Sequence, residues 1–67
     1  MSVGTVKFFN SAKGFGFISP DGGSKDVFVH ATALEAAGMT GLQEGERVSF
    51  DIQQDVRGPK AVNLRAE

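Results

Sequence analysis

The chain has 67 residues, with seven basic and eight acidic side chains, one His and no Cys. That length predicts one domain over residues 1–67 with a small core, since a chain this short buries only about 60% of the surface its unfolded form exposes. The missing Cys excludes disulfides, a lone His cannot complete a zinc or haem site, and the near-balanced charge does not mark a globally basic nucleic-acid binder.

Nine Gly and two Pro cut the chain into short segments, which favours an all-β fold. Residues 3–10 read as the first strand. Strict alternation puts Gly4, Val6, Phe8 and Asn10 on one face and Thr5, Lys7 and Phe9 on the other. The adjacent Phe8 and Phe9 share a face only if the strand bulges or bends. Residues 14–19 form the second strand, with Gly16 and Ile18 on one face and Phe15 and Phe17 on the other. Residues 26–30 repeat the pattern: Val27 and Val29 oppose Asp26, Phe28 and His30. Pro20-Asp21-Gly22-Gly23 between them is turn chemistry, so the two strands are expected to form a hairpin.

Thr32-Ala33-Leu34-Glu35 has capping-box spacing, and Gly38 stops the run; one short helical turn is predicted after strand three, with Leu34 tucked under the sheet. Leu42 is expected to anchor the loop that follows. Residues 47–53 give the clearest alternation, with Val48, Phe50 and Ile52 inward. Residues 54–59 connect to a last strand over 60–65, with Val62 and Leu64 inward and Asn63 and Arg65 outward. Val56 has no evident partner. Five strands in so short a chain cover both faces only by curling, which predicts an all-β, five-stranded antiparallel OB-type barrel.

Placement is more telling than composition. Five of the six Phe lie in the first 28 residues, and residues 1–30 carry three Lys against two Asp. In the central hairpin the aliphatic side chains share one face and Phe15, Phe17, Phe28 and His30 the other. A barrel has one inside, and the aliphatics fill it. A Phe on a strand is commonly core, but three on the face opposite the aliphatics are not accounted for that way. Exposed flat rings suit nucleobases, each stack being worth about 1–3 kcal/mol whatever the base. Lys7, Lys13 and Lys25 lie where they meet phosphates, and Asp26 and His30 offer hydrogen-bonding groups.

Lys7-Phe8-Phe9-Asn10, Lys13-Gly14-Phe15-Gly16-Phe17-Ile18 and Asp26-Val27-Phe28-Val29-His30 resemble the signature of the cold-shock domain family. Glu44-Gly45 before strand four, and Gly58-Pro59 followed by Ala61, Val62 and Asn63, fit it too, so the resemblance covers essentially the whole chain. It implies a five-stranded antiparallel OB-type barrel. It also implies binding of single-stranded RNA and DNA with low sequence specificity, and roles as an RNA chaperone and transcription antiterminator or regulator. The matching binding positions are Lys7, Phe8, Phe9, Lys13, Phe15, Phe17, Asp26, Phe28, His30, Arg57 and Lys60, with Met39 at a loop position that is commonly aromatic. The family pattern places the ring at position 8 outside, which requires a bend near Val6 and Lys7. The chain departs from the pattern in having Phe8 where Trp is usual, Ala31 where Phe is common, and Met39. A weaker or shorter-footprint binder is the consequence expected, with Met39 compensating in part.

The residues do not support an enzyme: there is no Cys nucleophile, no second His and no Walker-type phosphate loop. No cofactor, metal or small-molecule substrate is expected, and no membrane partner, since no apolar run approaches the length of a span. A cytoplasmic monomer is the expectation. The rival reading is a small β-barrel module binding extended peptides, although such modules rely on Tyr and Trp and this chain has neither.

Overall fold

The computed structural model describes residues 2–23, 25–39 and 41–66. Strands β1 (Ser2–Asn10), β2 (Phe15–Pro20) and β3 (Val27–His30) are followed by a short helix, α1 (Ala31–Ala36), and then by β4 (Arg47–Asp55) and β5 (Gly58–Ala66). The strands close into a barrel in the order β1-β2-β3-β5-β4. Four pairings are antiparallel, and the one that closes the barrel, β3 with β5, is parallel and pairs Phe28 with Lys60.

The core is aliphatic. Val6, Ile18, Val27, Val29, Leu34, Leu42, Val48, Ala61 and Leu64 are buried around Phe50. Among the described residues Phe50 is the only Phe fully enclosed, as its place on β4 predicts. Leu34 and Leu42 anchor the helix and the following loop, as their positions between turn signals suggest. Gly38, with φ of 76°, ends the helical turn, a left-handed geometry that glycine adopts without steric cost.

The bend expected near Val6 and Lys7 is present, and two inward assignments from simple alternation, Ile52 and Val62, are corrected. The pairing of β1 with β2 shifts between Val6 and Phe8, so Lys7 is an extra residue. This bulge turns Phe8 outward, opposite Phe17, and Phe9 inward, opposite Gly16. In β5, Val62 is only half-buried while Ala61 and Leu64 enter the core. There, Ser49 pairs with Arg65 but Asp51 pairs with Val62: β5 carries the extra residue. Asn63 accommodates it with φ of 53° and donates a hydrogen bond to Asp51 Oδ2 (2.9 Å), a conformation Asn tolerates better than most residues. Ile52 is 43% exposed because it lies where the β4–β5 hairpin runs past the barrel. Val56 sits fully exposed at the tip of that hairpin.

An ion pair ties the β2–β3 turn to β4. Arg47 donates to both carboxylate oxygens of Asp21 (2.9 and 2.8 Å) and to Thr5 Oγ1 on β1 (3.2 Å). Hydrogen bonding to this guanidinium, aided by its charge, holds the Asp21 carboxyl below its ordinary value of 3.8 against the opposing effect of desolvation. A carboxyl depressed in the folded state stabilises above its unfolded value and loses that contribution as pH falls through the folded one. Asp21→Asn is therefore expected to melt below the parent at pH 7. The gap should close as pH drops below 3.8, in thermal melts run from pH 7 to about pH 2. An equal gap at both ends would show that the charge of Asp21 is not its cause.

Candidate nucleic-acid interface

The outer face of β1, β2 and β3 carries a continuous aromatic sheet. Its rings come from alternate positions of the β2–β3 hairpin, where Phe17 pairs with Phe28 and Phe15 with His30. The β1 bulge adds Phe8. Ring centroids are 5.4 Å apart for Phe8 and Phe17, 5.8 Å for Phe17 and Phe28, and 6.0 Å for Phe15 and Phe28. Phe8 and Phe15 lie 6.2 Å apart, and the His30 ring extends the row 6.3 Å beyond Phe28. Most pairs are edge-to-face or tilted. That geometry stabilises each pair by about 0.5–1.5 kcal/mol and leaves ring faces and edges open to solvent. Phe8 is exposed, and Phe15, Phe17 and Phe28 are half-buried.

Gly16 lets β1 lie this close. A Cβ there would collide with the Phe8 carbonyl oxygen and come within 2.8 Å of Phe9 Cα. Phe9 packs over Gly16 and against the core. The structure does not bring Phe9 into the ring cluster; it lines a separate groove with Leu42 and Glu46. Met39 likewise leans on the core, and its N–H donates to the Leu34 carbonyl (2.8 Å). Ala31 begins the helix, half-buried, and its N–H donates to the Gly14 carbonyl (2.8 Å).

His30 does two things at once. Its Nδ1 accepts from the Thr32 N–H (3.2 Å) and so caps α1, a place the capping-box spacing assigns to Thr32. With the Nδ1 lone pair facing an N–H, the neutral ring carries its proton on Nε2. His30 thus keeps a donor available for a ligand.

Cations lie on the strands and turns next to those that carry the rings. Lys7 Nζ lies 2.9 Å from Asp26 Oδ2, a pair at the edge of the sheet. Lys60 Nζ stands 3.9 Å from Asp55 Oδ2. Lys13, in the β1–β2 turn, and Arg57, in the β4–β5 turn, make no ion pair among the described residues. Lys25 is exposed just before β3. Beyond His30, the sheet drops into a cleft of about 250 Å³ between β3 and the β4–β5 turn, lined by Phe28, His30, Thr32, Asp55, Arg57 and Lys60 among others. Thr32, read from the sequence only as part of a capping box, and Asp55 are lining residues that sequence reasoning did not assign to the site. No helix among the described residues is long and apolar enough to cross a membrane, and they hold no group of acidic, His or Cys side chains arranged for a metal.

The profile of the "Cold-shock" DNA-binding domain family matches residues 2–67. The chain belongs to the cold-shock domain family. The Rhizobium meliloti (strain 1021) cold shock protein CspA is 60% identical over 98% of this chain and 99% of its own length. The Streptomyces coelicolor cold shock protein ScoF is 56% identical over 96% of each chain. The Escherichia coli K12 cold shock-like protein CspE is 54% identical over 94% of this chain and 91% of its own. The cold-shock domain is thus a nucleic-acid-binding unit here, built on the barrel expected from the sequence.

Proposed function

We propose that this cold-shock domain binds single-stranded RNA and DNA by stacking unpaired bases on Phe8, Phe15, Phe17, Phe28 and His30. Lys7, Lys13, Arg57 and Lys60 meet the phosphates. The observation that carries this reading is the unbroken row of rings outside a barrel whose inside is already filled by aliphatic side chains around Phe50. Stacking reads no base edge, so preference along the row is weak, and it makes no use of the 2′-hydroxyl, so RNA and DNA both bind. A duplex binds poorly because its base faces are already stacked on one another. Asp26, paired with Lys7, accepts from base amino groups once phosphate draws the lysine away. Phe9 and Met39 contribute from the core side, as supports for β1 and the loop after α1.

The action is stoichiometric and non-enzymatic. Binding the open form alone pulls RNA hairpins toward it by mass action. That makes the protein an RNA chaperone, and an antiterminator wherever the hairpin is a transcription terminator. It works as a monomer in the cytoplasm.

The test is a titration of labelled hexauridylate against a matched duplex over a range of salt. Binding should be at least ten-fold tighter to the single strand. The logarithm of affinity should fall with the logarithm of salt by about 0.7 per neutralised phosphate, a total slope no steeper than about −3 for the four cations named. No binding to any single strand at low salt would overturn the reading and leave the peptide-binding alternative.

A further inference from the structure

We infer that the cleft at the end of the aromatic row reads one base by its edge, and that Asp55 and Lys60 select guanine there. This rests on the stacking function proposed above and adds a specificity that stacking alone lacks.

The cleft is small. At about 250 Å³ it falls below the roughly 300–1,000 Å³ of pockets that enclose drug-sized ligands, and suits a single base. Phe28 and His30 form its aromatic wall, continuous with the platform. A base following the row therefore arrives with one face against a ring and its edge toward the β4–β5 turn.

That turn presents an acceptor beside a donor. Asp55 Oδ1 accepts from the Val56 N–H (2.7 Å), which fixes the carboxylate on the hairpin. Oδ2 faces Lys60 Nζ at 3.9 Å, beyond the 2.7–3.2 Å of an N–H···O bond. The two groups are adjacent without being hydrogen-bonded to each other, so each can turn to a ligand without breaking such a bond. Lys60 is held in place by the closing pair with Phe28.

Guanine matches this pair. Its Watson–Crick edge sets two donors, N1–H and the N2 amino group, next to the O6 acceptor. A carboxylate accepts from the donors while the Lys60 ammonium, which meets phosphate when another base fills the cleft, turns to donate to O6. Uracil brings one donor flanked by two carbonyls, and a carbonyl against Asp55 is repulsive. Adenine and cytosine each bring one amino group with a ring-nitrogen acceptor beside it. Arg57 lines the same cleft and supplies a cation for the phosphate of that nucleotide.

The test uses labelled hexauridylates in which each position in turn carries guanosine, adenosine or inosine. Adenosine stacks as a purine but has the wrong edge, so the guanosine-to-adenosine affinity ratio isolates edge reading from stacking. The wild type should favour guanosine by about five- to ten-fold at one position. Inosine, which lacks the N2 amino group, should fall between the two. Asp55→Asn keeps an oxygen for the Val56 N–H but offers an amide donor to the base, and the ratio should fall to about one. Lys60→Gln should lower it in part. An unchanged ratio in Asp55→Asn, or no position at which guanosine exceeds adenosine, would overturn the inference while leaving the stacking function standing. Failure of every oligonucleotide to bind would overturn both.

Discussion

Replacing Phe17 and Phe28 together by Ala should weaken hexauridylate binding by about two orders of magnitude. These two rings are the centre of the platform. Phe17 meets Phe8, Phe15 and Phe28, while Phe28 meets Phe15, Phe17 and His30. Each stacked base is worth about 1–3 kcal/mol. Two losses at the low end already amount to roughly 30-fold, and Phe8, Phe15 and His30 lose the neighbours that orient them. Each single substitution should cost about five- to ten-fold. Both residues lie on the outer face, so the aliphatic interior stays intact, and thermal melts beside the titrations identify the temperatures at which the variants are folded. Phe17→Leu and Phe28→Leu keep apolar cover but remove the π-face, and they should lose most of the same affinity. Affinity of the folded double Ala variant within two-fold of the parent would end the stacking account.

Gly16→Ala should clearly destabilise the fold. The added methyl meets the Phe8 carbonyl oxygen, Phe9 Cα at 2.8 Å and Phe9 Cδ1 at 2.8 Å. Two of these three atoms are backbone or fixed to it, so relief requires β1 to move off β2. Overpacking of this kind costs about 1–3 kcal/mol, sometimes more. A domain of this size has roughly 3–10 kcal/mol to lose at about 0.05–0.15 kcal/mol per residue. At about 4–8 °C per kcal/mol, the melting temperature should fall by roughly 4–24 °C. Gly41→Ala is the control: a Cβ there meets nothing within 4 Å and its φ is not left-handed, so its melting temperature should stay within about 3 °C of the parent. Equal melting of the two variants would refute the close-approach role of Gly16.

Local pattern and composition made much of this legible. The hairpin of β2 and β3, the outward rings, the buried Phe50, the Leu34 and Leu42 anchors and the barrel itself follow from period-two alternation and turn chemistry. What escaped has two physical sources. Bulges break the alternation. One extra residue at Lys7 exchanges the faces of Phe8 and Phe9, and another at Asn63 trades Val62 for Ala61 in the core. Periodicity alone shows neither; the family resemblance supplied the first and nothing supplied the second. The other source is distance along the chain. Asp55 meets Lys60 across a turn, and both meet Phe28, His30 and Thr32 only because β3 lies against β5. Likewise Thr32 and Glu35 have the right spacing for a cap, yet His30 reaches the Thr32 N–H first. Competition between two local partners for one donor is decided by geometry that sequence spacing does not contain.

The closing contact between β3 and β5 has a mechanical consequence. A barrel is only as shut as its seam, and this seam pairs Phe28 with Lys60 while the other joins run along several residues. The cleft lies across that seam, with walls on both strands. A base lodged there touches both lips at once and acts as a rivet, so the nucleic acid becomes part of the domain's own architecture while it is held.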